Sequence, residues 1–182
     1  MSIFMISGKR VREITGYTHE KQSKDADAWY QLALSFYCAA RVLSECCEKI
    51  PNDTRPFAFN AALSLELILK CLIAQKGEAI PNTHDLVDLQ EKAGVNLSDS
   101  QTQTLELLTE TNIWAGRYPA PLKETKWDDY HDRIFEKHIV RTRAGKTFRS
   151  MANRDTFPDW QNYERIWKTC VDQVSARRPS RP

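Results

Sequence analysis

Glycine is scarce in this chain, with six in 182 residues and none arranged as G-x-G-x-x-G or as a Walker loop. That removes the backbone cradle on which dinucleotide- and P-loop enzymes hold phosphates. Cysteine supplies no framework. Cys38, Cys46, Cys47, Cys71 and Cys170 are odd in number, form no C-x-x-C pair and fall in helix-like stretches. A disulfide scaffold and a structural zinc site are therefore not expected, and half-buried thiols in a reducing compartment are. A G-x-S-x-G elbow is missing too, and no Cys–His nucleophile pattern stands out. A formal charge of +2 is too small to announce a nucleic-acid binder, although a local basic patch matters more than the sum. The apolar "SIFMIS" is too short for a signal peptide, and Lys9 and Arg10 follow it rather than precede it. No stretch approaches the roughly 20 apolar residues that span a bilayer. The expected location is cytoplasmic, away from membranes.

What the chain has is helical periodicity. Apolar residues make up 41% and charged residues 27%, the balance of a globular domain. Residues 1–24 read as an arm: "SIFMI" as a short strand or a segment packed on a partner, and "THEKQSKDAD", with His19, as a polar loop. A first helix is expected from Asp25 to Ile50, where Trp29, Leu32, Phe36, Ala39, Leu43 and Cys46 step by three and four. A second starts after Pro56 and is apolar on nearly every side, as in the middle of a bundle. Gly77 is its C-cap. A short third helix takes Thr83 or Asn82 as N-cap, with His84 and Asp85 in its first turn and Gly94 at its end. A fourth begins with Ser98 and Gln101 at capping-box spacing and ends at Gly116 in a left-handed conformation. Residues 120–157 form an irregular insertion, within which "WDDYHDRIFEKHIV" is helical with Trp127, Tyr130 and Ile134 inward. Trp160, Tyr163, Trp167, Cys170 and Val174 mark a last helix, and 176–182 is a basic tail. The fold class is all-α, a four- to five-helix up-down bundle over residues 25–175.

The order of features resembles the HEPN domain family. The pieces that carry the resemblance are the long first helix, "LSLELILKCLIAQKG", "THDLVDL" and "RYP", spread over residues 25–120 plus the last helix. The resemblance implies a helical bundle that dimerises, and it implies binding of nucleotides or RNA. It further implies a metal-independent ribonuclease of a toxin–antitoxin or defence system, with an antitoxin or a nucleotidyltransferase as protein partner. The family's ribonucleases carry an arginine separated by four to six residues from a histidine. If Arg117 is that arginine, the positions are held by Leu122, Lys123 and Glu124, so the motif is incomplete. The alternatives are a non-catalytic dimerisation or protein-interaction module and a nucleotide sensor.

Arg117 carries the chemistry in these readings. Its guanidinium is always charged and offers a planar fork of donors suited to phosphate oxygens. The same cation also suits the carbonyls at a helix C-terminus. Tyr118 can stack on a base or plug the bundle end. Glu66 and Lys70, four apart, resemble the family's helix-two acid and base pair; Lys70 would face a phosphate while Glu66 orients it or Arg117. Their plain alternative is a surface salt bridge. His84 reads as a structural contact. His131 is the candidate to fold back as acid or base. His131 and His138, seven apart with no third ligand, are a poor metal signal, and no metal or cofactor is expected. Arg141, Arg143, Lys146, Arg149 and Arg154, with Phe148 among them and no acid from 141 to 154, can track a phosphate backbone or form a solvated loop.

Overall fold

Helix α4, Arg55–Gln75, is the axis on which the other elements pack. Pro56 lies in its first turn, where a missing N–H costs nothing. From Ala61 to Ile73 almost every side chain is buried. By length and composition α4 is apolar enough to cross a membrane, contrary to the sequence expectation; 72% of its most apolar window is buried inside the fold. The computed structural model describes residues 7–46, 54–145 and 147–177. The expectations for "SIFMI", Cys47, Lys146 and most of the basic tail lie outside the described residues.

Two short helices come first: α1, Gly8–Thr15, and α2, His19–Lys24. The second corrects the polar loop expected around His19. Each has a side-chain cap, with Ser7 Oγ accepting from Arg10 N and Thr18 Oγ1 accepting from Lys21 N. Neither buries a residue, so neither leaves an apolar stripe in the sequence. Helix α3, Ala26–Glu45, is capped by Asp25 and lies along α4. Ala33 and Ala40 are fully buried, and their small size lets the two helices approach.

Helix α5, Leu86–Ala93, is capped by Asp85, which accepts from Val87 N and Asp88 N. This displaces the expected cap, Thr83 or Asn82, by two or three residues and puts His84 before the helix rather than in its first turn. Helix α6, Asp99–Glu110, has the Ser98–Gln101 capping box and runs on into a π-turn, Thr111–Ala115. Helix α8, Trp160–Arg177, closes the bundle. Its Tyr163 hydroxyl meets Ser64 Oγ at 2.6 Å in the core, and Tyr37 of α3 stacks on Trp167 at 4.6 Å.

The insertion is more ordered than its sequence suggests. Helix α7, Glu124–Arg133, continues through a π-turn, Ile134–His138, into an antiparallel hairpin of β1, Ile139–Ala144, and β2, Thr147–Ala152. The all-α expectation holds for the bundle, to which this one small sheet is added.

Candidate functional site

The buried centre of α4 holds a charge. Glu66 and Lys70 are 3% and 7% exposed, and Lys70 Nζ donates to Glu66 Oε1 at 2.6 Å. A buried ion pair is tolerable only when its remaining polar atoms are satisfied. Two more donors do this for the carboxylate. His84 Nδ1 lies 3.1 and 3.0 Å from the two Glu66 oxygens, and Asn112 Nδ2 donates to Oε2 at 2.5 Å. An ionised carboxylate only accepts, so the proton must sit on His84 Nδ1 and the amide nitrogen of Asn112 must face Glu66. Asn112 Oδ1 is left buried without a hydrogen-bond partner. Burial alone would raise the Glu66 carboxyl. The bonds from Lys70, His84 and Asn112, with the Lys70 charge, outweigh burial and hold it below its ordinary value of 4.5. Lys70 points into Glu66, with its ammonium 5.9 Å from the Trp29 ring, not toward solvent as a phosphate contact would. The pair is also not the surface salt bridge of the plain reading.

Asn112 belongs to the π-turn that ends α6, so the quartet pins the segment that delivers Gly116, Arg117 and Tyr118. Gly116 is not left-handed; its φ is −84°. Its value is space: a Cβ there would lie 2.8 Å from the Thr111 carbonyl oxygen and 2.9 Å from Phe59 Cβ. The close approach sets the exposed Arg117 guanidinium 5.1 Å from the Phe59 ring centroid. Phe59 and Glu66 share the α4 axis seven residues apart, about 10 Å by helix rise. Arg117 therefore stands about two turns along the helix from Glu66 and three from Lys70, and its guanidinium stacks on Phe59 rather than joining their network.

Tyr118, next in the chain, lines a cavity of about 320 Å³. Trp114, Trp127, Tyr130, His131 and Arg55 are among its other walls. The rings brace one another: Trp127 is 4.4 Å from His131, and Trp114 meets Tyr130 edge-on at 5.0 Å. Glu110 holds this wall together. It accepts from Trp114 Nε1 at 2.7 Å and from Arg133 Nη2 at 3.2 Å, and Lys126 Nζ is 3.5 Å away. Burial lifts the Tyr130 phenol above its ordinary value, and the Glu110 charge adds to the rise. Past Trp114 and Tyr118 the surface continues as an open groove bordered by Leu122, Lys123 and Lys126.

The candidates thus fall into three places. The exposed His84 ring joins the buried Glu66–Lys70 pair in one network, Tyr118 and His131 line one cavity, and Arg117 stands on Phe59 apart from that network. Arg141 and Arg143 lie on the hairpin. His138 is buried and bonds through Nδ1 to the Thr156 carbonyl, and among the described residues no cluster could hold a metal. Asn112, Arg55, Trp127 and Tyr130 are members that sequence reasoning did not assign. Of these, only "WDDY" carried a signal, as a helix face.

The HEPN domain family model matches residues 26–136. The chain belongs to the HEPN family. Neither a curated protein nor a solved structure matches it. The HEPN match takes in Glu66, Lys70, His84 and Asn112, Arg117 and the cavity residue His131, and it stops before the hairpin.

Proposed function

We propose that this HEPN module binds RNA or a nucleotide at the cavity walled by Tyr118, Trp114, Trp127 and His131, with Arg117 as the adjoining phosphate contact. One observation carries the reading: two tryptophans, two tyrosines, a histidine and an arginine surround a space of about 320 Å³, and the exposed Arg117 directly precedes the lining residue Tyr118 in the chain. That is the low end of the ordinary size for a small-molecule site. Aromatic walls suit a base, since stacking contributes about 1–3 kcal/mol per base. Glu66, Lys70, His84 and Asn112 act in this reading as positioning residues that fix the π-turn under Arg117.

Trp114 and Trp127 report on the site directly. Titration with AMP or a short single-stranded RNA quenches their emission, and Tyr118→Ala and Arg117→Ala each weaken binding. Absence of quenching by either ligand in the wild-type protein overturns the reading.

A second reading, metal-independent RNA cleavage, is favoured by His131 lining the cavity that Tyr118 also lines. A ribose 2′-hydroxyl attacks the adjacent phosphorus as the P–O5′ bond breaks, leaving a 2′,3′-cyclic phosphate; Arg117 offsets the charge gathering on the phosphoryl oxygens, and His131 takes the hydroxyl proton and delivers it to the departing 5′-oxygen. Cleavage of an RNA pool in EDTA, lost in both His131→Ala and Arg117→Ala, is the expected result. Unaltered RNA ends this reading, and with it the toxin or defence role, which further requires that expression slow cell growth.

A further inference from the structure

The β1–β2 hairpin has no task in the bundle. Every residue of its two strands is exposed except Ile139, which is half-buried. Phe148 is 72% exposed, so its ring is not there for packing within the chain. From Ile139 to Arg154 the sequence carries five cations and no acid. Among the described residues Arg141, Arg143 and Arg149 make no ion pair.

The register decides which groups act together. Arg143 pairs with Phe148 and Arg141 with Ser150, and paired residues share a face. Arg141, two residues from Arg143, points to the same side. One face therefore presents two guanidiniums and a phenyl ring, while Arg149 lies on the other. Arg141 is pre-set by the Phe135 ring, 5.0 Å from its guanidinium carbon. The root is rigid. Asn153 N donates to the His138 carbonyl at 2.8 Å, and Thr156 Oγ1 donates to the Lys137 carbonyl at 2.7 Å. The root also reaches the cavity: Ile134 on the way in, and Phe157 and Pro158 on the way out, line it.

We propose that the Arg141, Arg143 and Phe148 face of this hairpin is a second contact for single-stranded RNA, gripping the strand whose base occupies the cavity. The inference rests on the cavity reading for one end of the ligand and names the ligand as a polymer. Unpaired cations call for a polyanion, and an exposed ring among them calls for bases to stack. Six residues of strand extend about 20 Å, well beyond the reach of one nucleotide.

The test uses the full chain, a fluorescent 12-nucleotide single-stranded RNA read by anisotropy, and AMP read by tryptophan quenching. Arg141→Ala with Arg143→Ala is expected to weaken the 12-mer at least tenfold. It should also flatten the slope of log affinity against log salt by about 1.4, at roughly 0.7 for each phosphate no longer neutralised. Phe148→Ala weakens the 12-mer about fivefold or more, in line with the loss of one stacked base. Neither change alters AMP binding, and circular dichroism confirms the fold, since all three side chains are exposed. An unchanged 12-mer affinity and salt slope in the double variant overturns the inference. So does a polyglutamate peptide that competes as well as RNA. If AMP binds and the 12-mer binds no tighter, the hairpin proposal falls and the cavity stands. If neither AMP nor the 12-mer quenches tryptophan emission and the 12-mer still depends on Arg141 and Arg143, the cavity reading falls and the hairpin grip stands.

Discussion

Asn112 Nδ2 donates to Glu66 Oε2 at 2.5 Å, tying the π-turn after α6 to the buried middle of α4. The bond joins residues 46 positions apart. It makes the segment ahead of Arg117 depend on a carboxylate that is almost wholly shielded from solvent.

Removing that carboxylate leaves Lys70 charged, buried and unpaired. Glu66→Ala is therefore expected to cost about 3–5 kcal/mol. Lys70→Met should cost less, because it removes charge and desolvation together and leaves Glu66 two donors. Urea denaturation of the two variants checks the order. Equal losses would mean that the pair is not the centre of the network.

Acid should loosen the same point. The folded Glu66 carboxyl sits below its ordinary value of 4.5, so folding favours the ionised form. Its contribution is complete above the unfolded value and is lost as pH falls through the lower folded value. His138 also titrates lower in the fold, chiefly through burial, and is held neutral. Its contribution is complete above 6.5 and declines as pH falls below that, down to its folded value. Melting temperature should thus fall in two stages. His138→Gln removes the upper stage and Glu66→Gln the lower. A single step unaffected by either variant would refute the assignment.

Glu110 couples the cavity wall to the bundle. Glu110→Gln keeps an acceptor for the Trp114 indole and loses only pairs with Lys126 and Arg133, whose side chains are 41% and 39% exposed. That change should cost under about 1 kcal/mol. Glu110→Ala strands the indole N–H in a buried site and should cost about 1–3 kcal/mol. It also frees Trp114 to move, so near-ultraviolet dichroism changes in the alanine variant and not in the glutamine one.

The sequence disclosed what apolar period can disclose. Trp29, Ala33, Ala40 and the run from Tyr163 to Val174 mark faces that meet the core, and Ser98 with Gln101 caps α6 by local bonds alone. Helices α1 and α2 bury nothing, so only the caps Ser7 and Thr18 betray them. In the hairpin both faces meet solvent, and "IVRTRA" shows β-branched residues without an apolar alternation. The quartet was half legible. Glu66 and Lys70 are neighbours on one helix, but His84 and Asn112 arrive from other elements and meet them only through packing.

Gly116 shows how a correct residue can be given the wrong reason. A glycine after a helix suggests a left-handed cap, yet here φ is negative and any residue could adopt it. The constraint is distance to Thr111 and Phe59. Gly116→Ala forces the backbone away from both and should cost about 1–3 kcal/mol as overpacking. Arg117 moves with the backbone, so nucleotide affinity falls together with stability. Phe59→Ala in the same chain removes the ring contact, Cδ2 at 3.0 Å, and keeps the Cβ at 2.9 Å. It also removes the ring under the guanidinium, while the Thr111 carbonyl remains in the way. The double variant should therefore recover some stability relative to the sum of the single changes, and no nucleotide affinity. A double-mutant cycle on both quantities measures this. Strict additivity in stability would show that Gly116 and Phe59 do not crowd one another, and the account of how Arg117 is placed would fail with it.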